Sequence, residues 1–150
     1  SLNINTLTYL TRIVGEKMAT SGSGKILNIA SIAGFQPDPY FAVYGATKAY
    51  VLSFTEAIHE EFKKTGVSVT ALSPGLTQTG FIDRAEMQGS NMLKAGIMPA
   101  ALVAKAGYKG MMKGKRHVVP GITNKIMAFF TWIFPTSAFK LHLLAKIMNK

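Results

Sequence analysis

The chain has 150 residues, enough for one domain with a real core, and 48% of them are hydrophobic, which excludes an intrinsically disordered segment. It has no cysteine, so a disulfide framework and a thiolate metal site are excluded and a reducing, cytoplasmic setting is expected. Its net charge of +10 is lopsided, because residues 1–86 carry seven basic and seven acidic side chains whereas residues 87–150 carry ten basic and none acidic.

In chain order, residues 6–20 place Leu7, Leu10, Ile13, Val14 and Met18 at helical spacing, and Ser21, Gly22, Ser23 and Gly24 end that helix. Residues 25–30 hold Ile26, Leu27 and Ile29 in a nearly continuous apolar run, the pattern of a parallel strand covered on both faces. A loop over residues 34–40, with Pro37 and Pro39, leads into a helix over 41–63 that stops near Gly66. Residues 67–72 then read as a second buried strand, and strand, helix, strand implies a right-handed crossover. Beyond Ser73, Pro74 and Gly75, residues 81–95 suggest one or two short helices, 100–112 a better one, and 116–119 a short third strand closed by Pro120 and Gly121. The tail from 122 to 150 reads as two helices broken at Pro135.

Tyr44 and Lys48 stand four apart in the second helix and so share a face. A neighbouring ammonium favours the phenolate, which suits Tyr44 to give and take a proton. Ser31 lies thirteen residues upstream at the end of the first strand, where its hydroxyl can act on the same carbonyl. Taken singly, a helical tyrosine is an ordinary half-buried residue and a serine after a strand an ordinary turn cap.

Together, the spacing of Ser31, Tyr44 and Lys48, with the flanking runs Asn28-Ile29-Ala30-Ser31-Ile32-Ala33-Gly34 and Tyr44-Gly45-Ala46-Thr47-Lys48, closely resembles the short-chain dehydrogenase/reductase family. The resemblance implies a partial Rossmann-like, doubly wound parallel sheet of class α/β, the C-terminal part of a three-layer α/β/α fold. It implies NAD or NADP as cofactor and interconversion of a carbonyl and an alcohol by hydride transfer. Tyr44 would be the acid/base, Lys48 would tune it and bind the nicotinamide ribose, and Ser31 would hold the substrate oxygen. The family's asparagine, which holds a water toward the lysine, matches Asn3 in register, with Asn5 as competitor. Pro74 and Gly75 resemble the family's P-G-x-x-x-T segment, which brings the backbone of Leu76 and Thr77 and the hydroxyl of Thr79 to the cofactor. Ligands of open α/β sheets bind beyond the carboxyl ends of the strands, where Ser31 and Pro74 both fall.

The family's glycine-rich phosphate turn is absent from these 150 residues, so the chain reads as the C-terminal catalytic part of one domain whose cofactor-binding N-terminal part is missing, and it is expected to be inactive alone. The segments 103–108, Gly114-Lys115 and 119–121 resemble a branch of short-chain oxidoreductases related to DltE-type proteins. Family members put substrate under residues 81–98, where Phe81, Ile82, Met87, Met92 and Leu93 suit an apolar carbonyl or alcohol, though the same composition serves a plain core. Homo-oligomers through the helices of Thr6 and Tyr44 are implied as well.

No metal is expected, because His59, His117 and His142 lack ligand spacing; His59 reads as facing water beside Glu56, Glu60 and Glu61. No nucleic acid is expected, since basic and aromatic residues do not cluster on a reader fold. The tail interleaves Phe129, Phe130, Trp132, Ile133, Phe134, Leu141, Leu143, Leu144 and Ile147 with Lys125, Lys140, Lys146 and Lys150. Packing on its own sheet or on a second subunit is the first reading of that pattern, and an anionic membrane surface the alternative.

Overall fold

The computed structural model describes residues 2–79, 96–133, 142 and 145–146. A single π-helical turn, Leu2–Thr6, leads into α1 (Leu7–Thr20), and β1 (Gly24–Ile29) follows. A short 3-10 turn, Ile32–Phe35, precedes α2 (Ala42–Glu61), and β2 (Val67–Leu72) comes next. Two two-residue strands, β3 (Thr77–Gln78) and β4 (Met98–Pro99), flank the undescribed stretch, and α3 (Ala100–Met112), β5 (His117–Val118) and α4 (Ile122–Ile133) complete the order.

The main sheet is parallel with strand order β1-β2-β5. Gly24 pairs with Val67 and Ile29 with Leu72, so the two long strands end level. Because successive strand residues point to opposite faces, Leu27 and Asn28 report both sides of the sheet. Asn28 meets α1 and α2, accepting from the Thr11 hydroxyl at 3.4 Å and donating to Thr55 at 3.0 Å. Leu27 and Leu72 meet α3 at Gly107, where a β-carbon would lie only 2.6 Å from Leu72. Only glycine lets α3 come that close. Helices thus cover both faces, which makes a three-layer α/β/α arrangement.

The core centres on β2, whose Val67, Val69, Ala71 and Leu72 are buried together with Val51 of α2 and Val103 of α3. The expectation that the first strand is covered on both faces holds at Leu27 and Asn28; only its last residue, Ile29, is 46% exposed, where the strand ends. The helical spacing of α1 is right, but Leu10 and Val14 point outward while Thr11 and Gly15 are buried. Close packing of Gly15 on Phe62 and the hydrogen bond from Thr11 to Asn28 decide that orientation, overriding the apolar stripe.

His59 is also corrected. It does not face water: its Nδ1 lies 2.7 Å from the carbonyl oxygen of Val69, and the side chain is half-buried against β2. The short pair β3-β4 has no counterpart in the sequence reading, since two-residue strands leave no periodicity to detect. The short helices over 81–95 with their five apolar residues, and all of the second tail helix but residues 142 and 145–146, lie outside the described residues.

Candidate active site

Pairing continues past the carboxyl ends of β1 and β2. The amide of Ala30 donates to the Leu72 carbonyl at 2.8 Å, and that of Ile32 donates to the Pro74 carbonyl at 3.0 Å. Ser31 and Pro74 are therefore held side by side where the sheet opens. Ser31 has an extended backbone and caps the 3-10 turn, its Oγ accepting from the Ala33 amide at 3.2 Å. A hydroxyl that accepts still has its own proton to give. The cap thus orients Ser31 and leaves it a donor.

The 3-10 turn lies directly on α2. A β-carbon at Gly34 would sit 2.8 Å from the backbone carbonyl of Lys48, so the turn reaches the helix only because this residue has no side chain. Tyr44 and Lys48 project from that helix one turn apart. The Lys48 ammonium donates to the carbonyl of Ile29 at 2.9 Å and lies 5.7 Å from the centre of the Tyr44 ring. Burial pushes the Lys48 pKa below its ordinary value. Charge at this nitrogen is less well solvated than on a surface lysine and is available to polar groups entering the cleft.

A cavity of about 200 Å³ collects these groups: Ser31, Tyr44, Lys48, Pro74, Gly75, Leu76, Thr77 and Thr79 all line it. Thr77 turns its hydroxyl onto the Gly75 carbonyl at 3.0 Å, and Thr79 reaches the Thr77 carbonyl at 3.4 Å. Asn3 lies apart from that lining. Its amide donates to Thr47 Oγ1 at 3.2 Å, and Thr47 in turn donates to the Tyr44 carbonyl at 2.8 Å. Asn3 thus touches the α2 turn between Tyr44 and Lys48.

Asp38 was not singled out by sequence reasoning, yet it lines the same cavity. Burial raises its pKa from 3.8 to about 6, with a hydrogen bond from Gln36 opposing the shift. An aspartate between two prolines just ahead of Tyr44 was the available signal. Tyr40, at φ 66°, turns the chain from this loop into α2 in the left-handed region that few non-glycine residues enter.

A second polar cluster sits behind the sheet. His117 Nε2 lies 2.9 Å from Ser73 Oγ and its Nδ1 lies 3.6 Å from Glu56, an order of groups that resembles a nucleophilic triad. Ser73 is 0% exposed, however, so it is not open to a substrate. The cluster is a clamp between α2, β2 and β5. Among the described residues no three histidine, aspartate or glutamate side chains come together as a metal site.

Residues 1–89 match the short chain dehydrogenase family. The ketoacyl reductase HetN of Nostoc is 33% identical over 140 residues, covering 89% of this chain and 48% of that protein. A very-long-chain 3-oxoacyl-CoA reductase of Mus musculus is 41% identical over 80 residues, covering 52% of this chain and 26% of the relative. Among solved structures, a short-chain dehydrogenase from Sphingobium yanoikuyae in complex with NADPH superposes with a TM-score of 0.74 at 28% identity, covering 99% of this chain and 55% of that one. The chain spans about half or less of the length of the curated relatives it matches. Since the family match takes in α1, β1, α2 and β2, and the fold of a solved member extends over the remainder, the chain belongs to the short chain dehydrogenase family.

Proposed function

We propose that these 150 residues are the C-terminal catalytic part of a nicotinamide-dependent oxidoreductase that interconverts a carbonyl and an alcohol. The observation that carries this reading is the convergence of Ser31, Tyr44 and Lys48 with the Pro74 to Thr77 backbone on one cavity beyond two level parallel strands. The cavity suits a nicotinamide cofactor: a half-buried ammonium faces a site for ribose hydroxyls, and the backbone at Pro74, Gly75, Leu76 and Thr77, with the Thr79 hydroxyl, lies where a carboxamide would be read. When bound, the cofactor supplies the hydride that reduces the carbonyl carbon.

In this reading Ser31 donates its remaining proton to the substrate oxygen, and Tyr44 delivers the proton that completes the alcohol, or removes it in the reverse direction. Lys48 stabilises the phenolate that Tyr44 becomes. Asn3 supports the α2 turn and holds the water that restores the proton. The glycine turn for the cofactor phosphates is not in this sequence, so the chain alone turns over no NADH or NADPH.

An apolar, acyl-like carbonyl compound is the proposed substrate class. Ile29, Ile32, Ala33, Phe41 and Leu76 line the cavity, and the names of the Nostoc and mouse relatives both specify oxoacyl reduction. The resemblance to the DltE-related branch belongs to the same proposal. We further place a homo-oligomer contact on α1 and α2, where Tyr9, Leu10, Val14 and Val43 are exposed. The test is oxidation of NADPH and of NADH by the protein at its natural full length, with 3-oxoacyl thioesters and methyl ketones of increasing chain length. Turnover that rises with chain length supports the proposal. Turnover of no carbonyl compound with either cofactor refutes it.

A further inference from the structure

α4 is amphipathic the wrong way round for a helix that packs on its own fold. Residues 100° apart along the helix put Asn124, Ala128 and Thr131 on one stripe and Ile122, Ile126, Phe129 and Ile133 on the other. The polar and small stripe is the inward one. Asn124 donates to the Pro120 carbonyl at 2.7 Å, packs against Gly75 and approaches the sulfur of Met98, and all three stripe residues are partly buried. The apolar stripe faces out, with Ile122 71%, Ile126 50%, Phe129 56% and Ile133 42% exposed. An apolar ridge of three turns on the outside of a helix needs an apolar neighbour.

Charge identifies that neighbour. Lys125 is exposed on the flank of the ridge, Lys146 is exposed, and no acidic residue occurs anywhere from 87 to 150 among ten basic ones. A second copy would bring the same positive charge to the contact and repel it, whereas an anionic lipid surface accepts both the ridge and its flanking cations. At 12 residues α4 is too short to cross a bilayer, and no helix among the described residues is long and apolar enough to do so. The described helix fits a position in the interface.

We propose that α4 docks this protein flat on an anionic membrane through Ile122, Ile126, Phe129 and Ile133, with Lys125 at the headgroups. The helix is anchored beside Gly75 and contacts the 3-10 turn that follows Ser31, so docking would set the cavity close to the lipid. The proposal stands independently of the redox reading, because none of the ridge residues lines the cavity.

The test is flotation of the full-length protein with vesicles of phosphatidylcholine, with and without about one-third phosphatidylglycerol, at low and high salt. Wild type is expected to float with the anionic vesicles and several-fold less with neutral ones, and salt is expected to weaken the binding. Ile126→Ser combined with Phe129→Ser should lose most of the flotation while keeping the circular dichroism of wild type, since both side chains are already in solvent. Lys125→Ser gives a gentler second variant that should lower binding to anionic vesicles only. Failure of folded wild type to float, or equal flotation by the double variant, overturns the proposal. So does a protein that ignores vesicles but changes from dimer to monomer on the double substitution, which would assign the ridge to self-association.

Discussion

The ammonium of Lys48 is 2.9 Å from the backbone carbonyl of Ile29, which ties α2 to the last residue of β1 at the opening of the cleft. The bond fixes a cation at the mouth of the sheet and, through the same helical turn, fixes the direction of Tyr44. Lys48→Met keeps the aliphatic stem and removes both the charge and the donor. Turnover by the full-length protein should fall on the order of 10²–10⁴-fold. Stability should be unchanged or higher, because burial already disfavours the ammonium there. Paired kinetics and thermal melts check both halves.

Gly34 sets the spacing between Ser31 and α2. With a β-carbon 2.8 Å from the Lys48 backbone, Gly34→Ala must push the 3-10 turn off the helix. A loss of about 1–3 kcal/mol in unfolding free energy is expected, the usual range for overpacking. Turnover should drop more than stability alone explains, since the displaced turn carries Ser31. Denaturant unfolding and kinetics on the same preparation separate the two effects.

Much of this architecture was legible beforehand because long periodic segments carry their own signal. β2 and α3 fall within the expected limits, and α1, β1 and α2 agree to within about two residues. Ser31, Tyr44 and Lys48 were legible as a spacing, and they do meet at one cavity. What escaped was decided by contacts distant in sequence. His59 leaves the water because its Nδ1 donates to the Val69 carbonyl across the layer, and the outward turn of Leu10 follows from a threonine and a glycine finding their partners. Asp38 carries no periodic signal, and only the folded loop shows that it faces the cavity. The inverted polarity of α4 was equally hidden, because periodicity reports an apolar stripe without saying which way it points.

His117 makes stability depend on pH. Half-buried between Ser73, Glu56, Arg116 and the edge of the Phe35 ring, it has a pKa below the ordinary 6.5, with desolvation outweighing the attraction of Glu56. Protons therefore bind the unfolded chain more readily than the folded one. The contribution of His117 is complete above pH 6.5 and declines as pH falls below that value toward the folded pKa. His117→Gln, which preserves a hydrogen bond to Ser73, should abolish this part of the slope. The melting-temperature difference between the two proteins should be constant above pH 6.5 and move in favour of the variant as pH falls below that value.

Asp38 acts in the opposite sense. Its folded pKa of about 6 exceeds the ordinary 3.8, so both states are protonated in strong acid, and stability is lost as pH rises from 3.8 to about 6. Among the described residues no cation pairs with it to offset the cost. Asp38→Asn should stabilise the protein at neutral pH by about 1 kcal/mol, a figure discounted for the solvent that screens a half-buried group. Below pH 3.8 the gain should vanish. Denaturant midpoints at acidic and neutral pH provide the comparison.

The phenol of Tyr44 bears the most weight in the proposed chemistry, and replacing it tests that chemistry most directly. Single-turnover reduction of a carbonyl substrate should be measured for full-length wild type and Tyr44→Phe at equal cofactor saturation, with melting curves confirming equal fold. The expected result is a loss on the order of 10²–10⁴-fold in the rate of the chemical step, with cofactor affinity little changed. A Tyr44→Phe protein that reduces the carbonyl at the wild-type rate would contradict the assignment of this cleft as an acid–base centre.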